Sequence, residues 1–150
     1  MDVIIRQATA DDFAALLAIW RAAVEATHGF LSPADIDGYE VIVATSLPRM
    51  RDLRVAETQT RSPAGFIAQD AGEIQMLFVD PAVHGQGVGT TLIEQVGEQF
   101  PVVAVDVNEQ NPSGRRFYEA RGFVRVGRSD LDDQGRPFPV LHLRRERAGR

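Results

Sequence analysis

Cysteine is absent from the chain, which excludes disulfides, thiolate metal ligands and a thiol nucleophile. Such a composition suits a reducing, cytoplasmic setting. Long apolar runs are missing too: no stretch approaches the roughly twenty residues that span a bilayer. Met1-Asp2 puts an acid where a secretory leader carries positive charge, so neither a leader nor a membrane partner is expected. Positive charge is scarce. The formal net charge is −5, and binding to nucleic acid, which draws on clustered Lys and Arg, is not expected. The basic residues that crowd one end, Arg144, Arg145, Arg147 and Arg150, read as a solvated, frayed tail. His28, His84 and His142 lie far apart without metal-ligand spacing, so no metal is expected.

What is present reads as one α/β domain over residues 1–150, with no linker, repeat or low-complexity segment. The β-branched run at 3–7 predicts a first strand. Thr9 with Asp12 three residues on predicts a helix start, and Phe13, Leu16, Leu17, Trp20, Ala23 and Val24 follow at helical spacing up to Gly29. Ser32-Pro33 opens a second helix that reaches Leu47 and stops before Pro48. Strands are expected at 53–57, 64–69 and 73–79, then a helix carrying Val88, Leu92, Ile93 and Val96. The run at 102–107 is apolar on both faces and predicts an interior strand covered on both sides. Asn111-Pro112 starts a helix that Gly122 ends, and strands at 123–127 and 139–143 flank a polar turn.

The chemistry concentrates in 76–92, where Gly85, Gly87 and Gly89 fall between a strand and a helix. Glycine at alternate positions permits a tight turn and leaves backbone N–H groups unobstructed. At a helix N-terminus those donors are unpaired and the dipole favours negative charge, so the turn suits a phosphate or pyrophosphate. Three anion-binding loops compete. A P-loop requires Gly-Lys-Ser/Thr, whereas Gly89 is followed by Thr90-Thr91. A dinucleotide fold finds an acid at Asp106, about twenty residues on from Gly85, but has Thr90 where a third glycine belongs and too few residues ahead of it for a doubly wound sheet. The third reading is coenzyme A.

Val79, Pro81, Gly87 and Gly89 resemble the acetyl-CoA signature V-x-P-x-x-[RQ]-x-x-G-x-[GA] of the GNAT superfamily of N-acetyltransferases, with His84 in place of Arg or Gln. Asn111, Phe117, Tyr118, Gly122 and Phe123 resemble its following motif, N-x-x-A-x-x-[LF]-Y-x-x-x-G-F, with Gly114 in place of alanine. The stretches 18–20, 26–32, 107–111 and 127–139 are similar to the YjaB-type bacterial branch. The resemblance implies a GNAT-like mixed, mostly antiparallel sheet of about seven strands with helices on both faces.

It also implies an acetyl-CoA cosubstrate. Backbone groups of Leu77, Phe78 and Val79 would meet the pantetheine arm, and the turn at His84, Gly85, Gln86, Gly87, Val88, Gly89 and Thr90 would meet the pyrophosphate, with Asn111, Phe117 and Tyr118 beside them. Tyr118 would be the general acid that protonates the leaving thiolate. The family's strand glutamate is replaced by Gln75, which leaves Glu73, two residues earlier on the same strand face, or His28 as the base. No G-x-S-x-G elbow offers a covalent acyl-enzyme, so direct attack in a ternary complex is expected. The acceptor is a primary amine of a small molecule or peptide, with Phe30 and Leu31 as cleft walls and Asp106 and Asn108 orienting the amine; Asp130, Asp132 and Asp133 read first as a solvated turn and second as attractors of a cationic acceptor. The protein acts as a monomer or homodimer on this reading. Gln75 and His84 favour the alternative of a non-catalytic acyl-CoA sensor on the same fold.

Overall fold

The computed structural model describes residues 1–147. Arg150, counted above in the basic tail, lies outside them. Seven strands form one sheet in the order β1-β2-β3-β4-β5-β7-β6: β1 Ile4–Gln7, β2 Asp52–Glu57, β3 Pro63–Asp70, β4 Glu73–Val79, β5 Val102–Asn108, β6 Val124–Ser129 and β7 Val140–Glu146. Four helices pack on it: α1 Phe13–Thr27, α2 Pro33–Ser46, α3 Val88–Gln99 and α4 Pro112–Glu119. Every strand pair is antiparallel except β4 with β5. The expected mixed sheet with helices on both faces is what the chain forms.

Local chemistry sets the boundaries. Ser32 and Asp35 cap α2 reciprocally, Asp35 N–H donating to Ser32 Oγ at 3.1 Å and Ser32 N–H to Asp35 Oδ2 at 3.0 Å. Asp12 accepts the Thr9 N–H at 2.7 Å and the Arg6 guanidinium at 2.8 and 2.9 Å, and that guanidinium holds its carboxyl down at about 2. This cap opens a 3₁₀ turn at Ala10–Asp12 ahead of α1. α2 ends at Ser46, and Pro48 sits inside a further 3₁₀ turn, Leu47–Arg49.

Two apolar cores lie on opposite faces of the sheet. One joins α3 and α4 to Ile67, Val103, Val105, Val107, Leu141 and Leu143; the other joins α1 and α2 to Val55, Phe66 and Ala68. Here the fold corrects two expectations. β5 is covered on one face only: Val103, Val105 and Val107 are buried while Asp106 between them is exposed. Helix α1 packs on β3 and β4, while Val124 and Val126 of β6 stand exposed. The basic segment is also no frayed tail. Arg144 and Arg145 belong to β7, Arg145 bonds Glu94 at 3.1 Å and lies over the Phe123 ring, and Arg147 donates to the carbonyls of Gly97 and Glu98 that end α3.

The β3–β4 hairpin turns through Gly72 at φ +87°, where an added Cβ would sit 2.3 Å from the Val102 carbonyl oxygen. Gly72→Ala is therefore expected to cost more than about 1 kcal/mol, since backbone strain adds to a clash with β5. A lowered urea midpoint with unchanged slope is the expected result.

Candidate active site

The site begins where β4 and β5 part. They pair only at Glu73–Ala104 and Ile74–Val105, so among the described residues β4 has no strand on that edge from Gln75 to Val79. On its other edge, β4 pairs Met76 with Ala68 and Ile74 with Gln69, which makes Gln75 an extra, bulged residue. Ile74 and Met76, two apart, consequently face opposite cores. Counting by twos therefore fails to relate Glu73 to Gln75. Both are nevertheless exposed on the wall of one cleft.

Beyond β4, the Asp80 carboxylate accepts the Ala82 N–H at 3.0 Å and turns the chain into Gly85 and Gly87, at φ +81° and +87°. Nothing lies within 4 Å of a Cβ built on either. These glycines serve backbone geometry and leave open space outside the turn. Gly89 has another reason: its Cβ would press to 3.0 Å of Phe117 Cζ, so it lets α4 close on α3. α3 starts at Val88, and the N–H groups of its first turn lack intrahelical acceptors. Arg121 donates twice to Thr90 Oγ1, at 2.8 and 2.6 Å, and its guanidinium stacks over Phe117 at 3.7 Å. A cation thus stands beside this helix end. The sequence reading missed Arg121, whose only signal was its place before Gly122.

A cleft of about 540 Å³ runs from this turn along the free edge of β4 to the gap with β5. It is lined by Leu77, Phe78, Val79, His84, Gly85, Gly87, Val88, Gly89, Thr90, Asn111, Phe117 and Tyr118. Gln86 alone of the expected set is not on its wall; its carbonyl accepts from the Met1 ammonium. The Asn111 side chain is committed to capping α4, accepting from Gly114 N–H at 3.1 Å. Tyr118 is held edge-on between Phe117 and Phe123, with ring centroids 5.2 and 5.3 Å away. Burial pushes its phenol well above the usual value, so it stays protonated. Its hydroxyl makes no hydrogen bond among the described residues.

A second cleft of about 480 Å³ opens on the α1/α2 face, walled by Phe30, Leu31, Glu73, Asp106 and Asn108. His28, Gln75, Met76, Phe78, Asp106 and Asn108 line both clefts, which meet through the splay between β4 and β5. The loop between β6 and β7 is clasped over this cleft. Asp132 accepts the Tyr39 hydroxyl and the N–H groups of Gln134 and Arg136, and Phe138 packs on Phe30 at 5.7 Å. Tyr39 and Phe138 were not legible as cleft residues. Asp130 is drawn off to Arg128 instead. Among the described residues no group of His, Asp and Glu could hold a metal ion.

His28 packs on Phe30 at 5.4 Å, and burial lowers its imidazole to about 4. The Thr27 hydroxyl donates its proton to the Ala23 carbonyl at 2.8 Å, so at 2.7 Å it can only accept from His28 Nδ1–H. This fixes the tautomer and leaves the lone pair on Nε2. In a proton NMR titration, His28 is expected to remain neutral through pH 5 and to titrate near 4. With the unfolded value at 6.5, the neutral ring contributes stability that is full above pH 6.5 and lost as the pH falls through about 4.

Known proteins resemble this chain over nearly its whole length. Residues 43–139 match the family model described as an acetyltransferase (GNAT) domain. The chain is 41% identical over 143 residues to the peptidyl-lysine N-acetyltransferase YjaB of Salmonella typhimurium, covering 95% of this chain and 98% of that protein. It is 38% identical to YjaB of Escherichia coli, whose apo-form solution structure superposes with a TM-score of 0.92 over 99% of this chain and 100% of that one. A PaiA N-acetyltransferase from Thermoplasma acidophilum, solved with coenzyme A, shares the fold at TM-score 0.74 and 18% identity, over 97% of this chain and 99% of that one.

Proposed function

The chain belongs to the GNAT family of acetyltransferases, and from that membership we propose that residues 1–150 act as one domain that transfers acetyl from acetyl-CoA to the side-chain amine of a peptidyl lysine. The two clefts meeting at the splay carry this reading. The relatives named as peptidyl-lysine acetyltransferases supply the acceptor class.

The residues present fit coenzyme A. First-turn N–H groups of α3 and the Arg121 guanidinium would hold the pyrophosphate, and the open space outside Gly85 and Gly87 admits it. The unpaired edge of β4 offers main-chain donors and acceptors to the pantetheine amides, and a donor there would polarise the thioester carbonyl. A lysine reaches the same gap from the second cleft. The acceptor ammonium gives up one proton to solvent in the cleft, the neutral nitrogen attacks the carbonyl carbon, the C–S bond breaks, Tyr118 gives its proton to the departing thiolate, and the second proton of the acylated nitrogen restores the Tyr118 phenol. Of the two expected bases, His28 borders both clefts and Glu73 only the second; with burial holding the His28 ring at about 4, its Nε2 accepts a hydrogen bond from the amine and orients it while the proton passes to solvent. The clefts hold no cysteine, and transfer is direct, with proximity supplying much of the rate.

All sixteen basic residues are arginine, so acetyl-lysine in an assay comes from the added peptide alone. Incubation with acetyl-CoA and a lysyl peptide library is expected to give thiol release matched by acetyl-lysine, with intersecting double-reciprocal plots. Binding of coenzyme A with no acetylation of any amine would support the sensor alternative instead.

A further inference from the structure

Three adjacent strands, β5, β7 and β6, present a hydrogen-bonded row of side chains that the mechanism above does not use. His142 on β7 pairs across to Asp106 on β5, with Nδ1 and Oδ1 2.6 Å apart, and on its other side Nε2 lies 2.7 Å from Ser129 Oγ on β6. A carboxylate oxygen accepts, so His142 Nδ1–H donates to Asp106, and Nε2 then accepts a hydrogen bond from the Ser129 hydroxyl. The ring has room because β6 presents Gly127 beneath it, where a Cβ would approach His142 Cδ2 to 3.2 Å. Ser129 borders neither cleft, so it is not placed to receive the acetyl group. Asp106 borders both, at their junction.

The row is half in solvent, with the Asp106 side chain 61% exposed and that of His142 37% exposed; at that exposure the pair adds little to stability. Its consequence is orientation. One Asp106 oxygen is committed to His142, and Oδ2 has no partner among the described residues. Among the described residues no arginine lines the second cleft. Of its other carboxylates, Asp132 is occupied by Tyr39 and its own loop, and Glu73 and Asp133 do not reach the first cleft.

We propose that His142, oriented by Ser129, holds Asp106 as the anchor for the ammonium group of the acceptor at the junction of the clefts. This rests on the transfer reading above: Asp106 receives the cationic amine, which then loses its proton to solvent beside His28. Asp106 touches the substrate; His142 and Ser129 are positioning residues.

Steady-state kinetics with a lysyl peptide and acetyl-CoA test it. Asp106→Asn is expected to raise the peptide KM roughly tenfold or more, the loss of a charged partner, while the acetyl-CoA KM stays within about twofold. His142→Phe keeps a ring and removes both nitrogens, and is expected to raise the peptide KM by about three- to tenfold. His142→Asn places an amide donor where Nδ1 stood and is expected to restore most of the loss. Long-range 1H–15N spectra should show His142 protonated at Nδ1, and less so in Asp106→Asn. An unchanged peptide KM in a folded His142→Phe protein overturns the anchor and leaves the transfer reading standing. Failure of the unsubstituted protein to acetylate any amine overturns the transfer reading and the anchor with it.

Discussion

Tyr118→Phe is expected to lower kcat for acetyl transfer by about 10²–10⁴-fold, the usual contribution of a positioned general acid. The substitution removes a single oxygen. The ring remains clamped edge-on by Phe117 and Phe123, and at 7% exposure it stays part of the α3/α4 core, so thermal stability should hold. The hydroxyl has no protein partner among the described residues, and its removal therefore leaves no donor or acceptor stranded. Coenzyme A affinity should change little, because the pyrophosphate turn and the β4 edge do not depend on that oxygen. The defect should also narrow as pH rises past a thiol's ordinary value of about 8.5, where the leaving sulfur departs without a proton. Calorimetric titration with coenzyme A, paired with a pH series of kcat, measures both. A kcat within a few-fold of the unsubstituted protein across that series would remove Tyr118 from the chemistry.

Much of this was legible because local rules and tertiary packing agree. Ser32-Pro33 and Asn111-Pro112 state helix starts through the capping chemistry they later perform. The glycines at 85 and 87 announce positive φ and an open turn before any neighbour is known. What escaped depends on partners distant in sequence. The run at 102–107 shows five apolar residues broken only by Asp106, but not that Asp106 stands exposed between valines that are buried. The bulge at Gln75 is set by how β3 and β4 pair; it overturned the parity that placed Glu73, and it also swings β4 from one core to the other. His142 carried no functional signal, because its meaning lies in Asp106, thirty-six residues away, and in the pairing of β5 with β7 that brings them together. The clasp of Tyr39 on Asp132 spans ninety-three residues and was invisible for the same reason.

Gly87→Val is expected to weaken coenzyme A binding by about 100-fold or more while leaving the protein folded. Gly87 sits at φ +87° and ψ 7° immediately before α3. An L-residue there costs roughly 1–2 kcal/mol of backbone strain, and a β-branched one more. That alone should lower stability without unfolding a protein of ordinary stability. Binding suffers for a separate reason. Because no protein atom lies within 4 Å of the Cβ position, the new side chain occupies the space from which a pyrophosphate approaches the first-turn amides, and two or more charge-assisted hydrogen bonds are lost. Gly135 separates the two effects. It has φ +74° and open space around its Cβ, on the β6–β7 loop away from the glycine turn. Gly87→Ala and Gly135→Ala should thus cost similar stability in urea, yet only the first should weaken coenzyme A in titration. Equal coenzyme A affinities in the two alanine variants would mean that the turn ahead of α3 does not hold the pyrophosphate, and that the thioester approaches the splay by another route.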